Sequence, residues 1–211
     1  MYIPKANEET RLEVLHDLIE SHPLASLVTT GSSGLFASHL PMVLERKSAT
    51  HGLLKAHLSR ANKQWQDFQP EVEALAIFSG PQHYITPSWY PEKRETGKVV
   101  PTWNYAVVHV YGHLKIINDP AWLLEHLNAL TTANESAFPE PWQVSDAPAD
   151  YVASLLKGIV GLELPIERIE GKWKASQNQP ETNRAGVIEG LERLNTSESL
   201  AMKALVAAPK K

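Results

Sequence analysis

Six short runs of apolar and β-branched residues, at 24–30, 35–44, 52–57, 73–78, 103–117 and 159–169, constrain the fold of this chain more than any other feature. Most are bounded by glycine, proline, serine or asparagine, the residues that turn a backbone. A strand sends successive side chains to opposite faces. In 103–117, Val108 and Val110 therefore share one face, and His109, Tyr111 and His113 share the other. The first two runs are separated only by Gly31-Ser32-Ser33-Gly34, too short for the crossover that parallel neighbours need, so they predict a β-hairpin. Strands in hairpin order with helices interposed predict an antiparallel sheet or barrel with the helices outside it, an α+β architecture.

Apolar spacings of three and four residues mark the helices. Leu12, Leu15, Leu18 and Ile19 predict an amphipathic helix over 7–21, which His22-Pro23 ends. Asp119-Pro120 supplies a cap and a first-turn proline for a helix over 121–134 with Leu123, Leu124, Leu127 and Leu130 as its stripe. Further helices are expected over 148–158, with Tyr151, Val152, Leu155 and Leu156 as its face, and over Glu181–Leu194 and Ser197–Ala207.

The 211 residues, 43% hydrophobic and 21% charged, suffice for a sizeable core and describe a globular chain. The absence of cysteine excludes disulfides and thiolate metal sites and fits a reducing compartment. A formal charge of −4 argues against a generally basic nucleic-acid binder. No apolar run reaches membrane-span length and the N-terminus lacks the apolar core of a signal peptide, so a cytoplasmic protein is expected.

Nine histidines invite a metal reading, but His109 and His113 on one extended strand would lie about 13 Å apart, too far for a single ion. No HExxH, GxSxG, GxGxxG or GxxxxGK[ST] motif occurs. An anion could be held another way, by His57-Leu58-Ser59-Arg60-Ala61-Asn62-Lys63, where a strand end offers a guanidinium, a hydroxyl, an amide and helix N-terminal donors. The same residues also suit a polar turn that caps the next helix. Lys172, Lys174, Gln177 and Asn178 beside Trp173 are a second such group, with a solvated loop as the plain alternative. The stretch 79–113 concentrates Tyr84, Trp89, Tyr90, Trp103, Tyr105 and Tyr111, which must pack on the domain, on a second subunit or on a flat ligand. Flat aromatic faces, amides such as Asn104 and an anion-binding turn are together what a phosphorylated planar cofactor requires, and flavin mononucleotide (FMN) is one.

In order along nearly the whole chain stand Met1-Tyr2-Ile3-Pro4, Ser38-His39-Leu40-Pro41, Gly52-Leu53-Leu54-Lys55-Ala56-His57 running into Ser59-Arg60-Ala61-Asn62, Phe78-Ser79-Gly80-Pro81 with Tyr84-Ile85-Thr86-Pro87-Ser88-Trp89-Tyr90, Val100-Pro101-Thr102-Trp103-Asn104-Tyr105 and Lys174-Ala175-Ser176-Gln177-Asn178. With these motifs the chain resembles the PaiB-like family of FMN-binding split-barrel proteins, often labelled negative transcriptional regulators. Ser59 stands where the family commonly has alanine, and Arg60 and Asn62 are kept. The resemblance implies a six-stranded antiparallel split β-barrel of the pyridoxamine-phosphate-oxidase type with peripheral helices. It also implies a homodimer with FMN at the dimer interface. By that likeness Ser38, His39, Leu40 and Pro41 would lie along the flavin, while His57, Arg60 and Asn62 would hold the phosphate. Trp103, Asn104, Lys174 and Gln177 would approach from surrounding loops or the partner subunit. Residues 1–180 would form the FMN-binding domain, and 181–211 a helical extension packed on the barrel or the partner.

The resemblance further implies a PaiB-type regulatory role. A flavin-dependent oxidoreductase or flavin reductase, and a haem protein using His57, His109 or His113, are the alternatives on the same fold. No basic recognition helix accompanies the regulator label, which argues against direct operator binding. Trp103 and Asn104 are expected nearest the cofactor, and Tyr84, Trp89 and Tyr90 at a dimer surface or lid.

Overall fold

The structure, a computed structural model, describes residues 1–208, so the last three residues of the proposed C-terminal extension lie outside the described residues. The elements are β1 (Glu8–Glu9), α1 (Leu12–Ser21), β2 (Leu24–Gly31), β3 (Gly34–Pro41), β4 (Val43–Glu45), β5 (Leu53–Ser59), β6 (Ala74–Ile85), α2 (Glu92–Glu95), β7 (Thr102–Gly112), β8 (Lys115–Ile117), α3 (Pro120–Glu135), α4 (Ala149–Leu156), β9 (Ile159–Pro165), β10 (Arg168–Lys174), α5 (Glu181–Leu194) and α6 (Ser197–Ala207). A six-stranded sheet has the order β1-β10-β7-β6-β2-β3, and a four-stranded sheet the order β4-β5-β9-β8. The fold is α+β with antiparallel pairing, as the hairpin order predicts. No helix among the described residues is long and apolar enough to cross a membrane.

Three predicted strands are split and one predicted helix is trimmed. The 35–44 run stops at Pro41, which cannot donate to a ladder, and Met42 N–H turns to the Pro23 carbonyl at 2.9 Å before β4 begins. The 103–117 run breaks after Gly112, where Glu167 N–H takes the Tyr111 carbonyl at 3.0 Å and β8 pairs with β9. The 159–169 run breaks at Pro165-Ile166 for the same reason as Pro41, giving β9 and β10. Residues 8 and 9 leave the predicted first helix to pair with β10 as β1, opposite Lys172 and Gly171.

Two compact units emerge: 1–15, 79–108 and the described residues from 170 onward form one, and 16–78 with 109–169 form the other. In the second, β5 and β9 pair over seven residues and set Leu54 against Leu164, Ala56 against Leu162 and Leu58 against Val160, all buried. Period-two alternation places these on one face, and their burial is the main hydrophobic contribution of this sheet. Helix α3 starts at Pro120, with Asp119 Oδ1 accepting from Ala121 N–H at 2.9 Å. It buries Leu123 and His126, whereas Leu124 is exposed.

In the other unit the core is Ile85, Tyr90, Ala175, Val187, Leu191, Met202 and Val206, with Trp89 packed against it. Trp89 and Tyr90, expected at a dimer surface or lid, therefore pack within their own unit, on α5 and α6. Tyr84 stays exposed, its ring 6.1 Å from that of Trp103. Helix α5 ends on Asn195 in the left-handed region (φ 53°), and Thr196 with Ser199 forms a capping box that starts α6. Buried Arg184 donates to the Val206 and Ala208 carbonyls at 2.8 and 2.6 Å, satisfying the C-terminal end of α6.

Helix α5 reaches Trp89 through Gly190, where an added Cβ would lie 2.3 Å from the indole Cδ2. Gly190→Ala gains about 1 kcal/mol of helix propensity but forces the indole or the helix to move, at about 1–3 kcal/mol or more. The expected outcome is a net loss of stability, read as a lower urea midpoint; an equal or higher midpoint would show that the indole shifts freely.

Candidate functional site

Seven of the eleven residues singled out from the sequence, Ser38, His39, Leu40, Pro41, His57, Arg60 and Asn62, lie in the unit of 16–78 and 109–169. Strand β5 ends at Ser59, and the chain turns through Arg60-Ala61-Asn62 into a single 3₁₀ turn, Lys63–Trp65. Asn62 does two jobs here. Its Oδ1 accepts from Gln64 N–H at 2.9 Å, capping that turn, and its Nδ2 donates to Ser38 Oγ on β3 at 2.9 Å. The turn thus satisfies the capping reading and also joins two of the predicted motifs.

The backbone donors of the turn are consumed locally. Arg60 N–H goes to the Gly158 carbonyl at 2.9 Å, Asn62 N–H to the Ser59 carbonyl at 2.9 Å and Ala61 N–H to Ser59 Oγ at 3.2 Å. A helix of one 3₁₀ turn offers no N-terminal cradle, so binding of an anion falls to side chains. Arg60 is half-buried and commits Nη2 to Asn118 Oδ1 at 3.0 Å, which leaves the rest of its fork for a ligand. Trp65 holds it from behind: its Nε1–H donates to the Arg60 carbonyl at 3.1 Å, and the guanidinium lies 5.6 Å from the indole centroid.

What fixes this turn is Gln64, fully buried, whose Nε2 donates to the Leu27 carbonyl and Thr29 Oγ1, both at 3.1 Å. Those acceptors belong to β2, the strand that pairs with β3 in register Leu27 to Ser38. The amide therefore ties the turn to the hairpin that carries Ser38.

His57, on β5 just before the turn, contacts a residue that the sequence reading passed over. Its Nδ1 is 3.1 Å from Nε2 of His126 on α3. His126 is 2% exposed and stacks on Trp122, centroids 5.3 Å apart at 18°. Trp122 packs flat on β9 because Gly161 has no side chain; a Cβ there would lie 2.4 Å from Cζ3 of the indole. Burial pushes the His57 imidazole below its ordinary range. His126 falls further, to about 4, through burial, then the positive charge of His57 and Lys55. Both are neutral at pH 7.

Ser38, His39, Leu40 and Pro41 form the second half of β3, the last strand of its sheet, so one side of its backbone ladder has no strand partner among the described residues. His39 is exposed and pairs with Ser26 Oγ at 3.0 Å, while Leu40 is buried. An open extended edge with Asn62 fastened to its middle can accept a flat polar ligand along its backbone.

The other four, Trp103, Asn104, Lys174 and Gln177, lie in the other unit. Asn104 is 1% exposed and donates from Nδ2 to Ser176 Oγ at 2.8 Å, and its Oδ1 has no partner among the described residues. Ser176 adopts the left-handed region at φ 59°, the bend that turns its hydroxyl inward beside Asn104. Lys174 donates to Thr102 Oγ1 at 2.5 Å; Gln177 accepts from Ala175 N–H at 2.7 Å and donates to the Trp173 carbonyl. Trp103 is half-exposed and donates to Gln82 at 3.2 Å. Of the remaining histidines weighed as haem ligands, His113 pairs with Glu167 at 2.9 Å, and His109 lies against Tyr111.

A family model described as "Putative FMN-binding domain" matches residues 1–168. The chain belongs to the PaiB-like FMN-binding split-barrel family. It is 32% identical to the protein named protease synthase and sporulation protein PAI 2 of Bacillus subtilis over 98% of this chain and 96% of that one. An uncharacterized protein of Emericella nidulans is 36% identical over 93% and 92% of the two chains. The flavocytochrome Anf3 of Azotobacter vinelandii, 14% identical, superposes with a TM-score of 0.57 over 79% of this chain and 68% of that one, a likeness of fold alone. The chain thus carries an FMN-binding domain on a split-barrel fold.

The sequence reading missed Gln64, Trp65, Trp122, His126 and Ser176 as supports. Gln64 and Trp65 sit within five residues of Arg60 and were legible as neighbours, but His126 lies 69 positions from His57 and only the packing of α3 joins them. The pair predicts an acid limit. His126 is held near 4 in the fold against about 6.5 when unfolded, so the unfolded chain binds the extra proton first. Stability present above pH 6.5 is lost as pH falls toward 4, by about 3 kcal/mol from this group. Urea midpoints of the wild type against pH should fall over that window and those of His126→Phe should fall less; parallel slopes would assign the acid sensitivity elsewhere.

Proposed function

We propose that the protein is a cytoplasmic, dimeric flavoprotein that takes FMN and acts as a regulator of the PaiB type. The observation that carries the reading is the joined constellation of Arg60, Asn62 and Ser38. A guanidinium at a strand end, held by a hydrogen bond to Asn118, stands two residues from Asn62, which is itself fastened to Ser38 on an edge strand, in a chain that matches an FMN-binding family. The residues fit the cofactor chemically. A dianionic phosphate suits the free part of the Arg60 fork and a neutral His57 donor. The edge of β3 over residues 38–41, which has no strand partner on one side among the described residues, suits the polar edge of a ring system.

In this reading His57, Arg60 and Asn62 bind the phosphate, and Ser38, His39, Leu40 and Pro41 line the flavin. Trp103, Asn104, Lys174 and Gln177 approach a flavin from surrounding loops or from the partner subunit, Asn104 with a buried Oδ1 still able to accept a hydrogen bond. Residues 1–180 are the working FMN domain and 181–211 its helical extension. When bound, FMN supplies hydride and one-electron chemistry; the chain's own groups bind, orient and shield it. Regulation by direct operator contact is not part of the proposal. The chain is acidic, and α3, its longest described helix, carries no lysine or arginine.

Purified protein is expected to turn yellow or to take up FMN stoichiometrically, with a rise in melting temperature. Arg60→Ala should weaken FMN tenfold or more, about 1.5–3 kcal/mol, by fluorescence titration. Unchanged affinity would move the phosphate site away from this turn. Rapid bleaching of the bound flavin by NADH or NADPH would favour the oxidoreductase over the regulator, and a Soret band on haem titration would favour the haem protein.

A further inference from the structure

The histidine pair behind the turn has a direction. With His57 Nδ1 and His126 Nε2 3.1 Å apart, one nitrogen donates and the other accepts. Were His57 the donor, His126 would carry its own proton on Nδ1, a buried atom without a partner among the described residues. Unpaired buried N–H groups are rarer in folded proteins than under-used acceptors. Were His126 the donor, its Nδ1 would keep only an unused lone pair, with no buried N–H left unpaired. The second arrangement is the cheaper one.

We propose that His126 is a positioning residue for the anion site: its Nε2–H, donated to His57 Nδ1, fixes the proton of His57 on Nε2 and presents that nitrogen as a neutral donor to a phosphate group. The assignment rests on the reading of the 57–62 turn as the FMN phosphate site. A histidine tautomer is set by the partner of its other nitrogen, the same logic by which outer groups orient metal-bound imidazoles.

The surroundings hold His126 in place to do this. Its ring is stacked on Trp122, and Trp122 Nε1–H is anchored to Glu163 Oε1 on β9 at 2.8 Å. Lys55 on β5 lies 5.6 Å from the Trp122 ring centroid and pairs with Glu45 on β4. Lys55, Glu45 and Glu163 are thus the charged groups around the stack. The lysine is the one that acts on His126, and it disfavours a second proton there.

Histidine ¹⁵N spectra of the flavin-free protein test the tautomer without reference to FMN. Wild type should show neutral His57 protonated on Nε2, with a pKa below the ordinary 6.5. His126→Gln keeps an amide donor for Nδ1 and should preserve both features. His126→Phe keeps a ring on Trp122 but no donor, and should raise the His57 pKa. In FMN titrations at neutral pH, His126→Gln should bind as wild type and His126→Phe about fivefold more weakly. Wild-type His57 protonated on Nδ1, or a His57 pKa unmoved in His126→Phe, overturns the inference whatever FMN does. Should His126→Phe fail to fold, the wild-type tautomer and His126→Gln still decide. Equal FMN affinity in all three, with Arg60→Ala impaired, overturns the role of His126 but leaves the phosphate site standing. Loss of FMN in none of these, Arg60→Ala included, overturns the site reading and with it the role, while the spectra report the tautomer separately.

Discussion

The candidate anion turn depends on one buried amide. Gln64 has no exposed surface, and its Nε2 hydrogens are spent on acceptors of β2. Removing the amide would cost the Leu27 carbonyl and Thr29 Oγ1 these two buried hydrogen bonds, about 0.5–1.5 kcal/mol each. Its Oε1 has no partner among the described residues, so the amide acts through its donors. Because these bonds require the 3₁₀ turn to sit against the hairpin, Asn62 comes within reach of Ser38 and Arg60 is held at the strand end. A polar network that is fully engaged on its donor side thereby specifies geometry, not merely stability.

The aromatic stretch of 79–113 is divided between two tasks. Trp89 and Tyr90 serve as core for α5 and α6, through the bare backbone of Gly190. Trp103 and Tyr84 remain half-exposed beside each other. An indole buries more area than almost any other side chain, so the two C-terminal helices gain a core from one residue of a loop. Trp103 is the chain neighbour of Asn104, the buried amide whose Oδ1 has no partner among the described residues.

In the proposed phosphate site, His57 and Arg60 would divide the labour of binding the anion. Arg60 would supply permanent charge, and a His57 kept neutral by burial would supply direction without adding a second cation to a half-buried place. Charging either ring costs desolvation, more for His126 than for His57 because His126 is the more deeply buried and also lies under the influence of Lys55.

Much of this was legible in the sequence because its signals are local. Alternation located the strands, Asp119-Pro120 located the start of α3, and Arg60 with Asn62 declared an anion-compatible turn within five residues of His57. Proline explained the breaks at Pro41 and Pro165 once the register was known, since the missing N–H is a property of the residue itself. Residues that act through distant partners left no such mark. His126 reads in the sequence as one more residue of an amphipathic helix, and the stripe it displaces, Leu124, is exposed. Gln64 reads as a polar turn residue. Only tertiary packing decided that each is buried, because a polar side chain enters a core when a specific partner meets it there, and the partner is named by the fold and not by the neighbouring sequence.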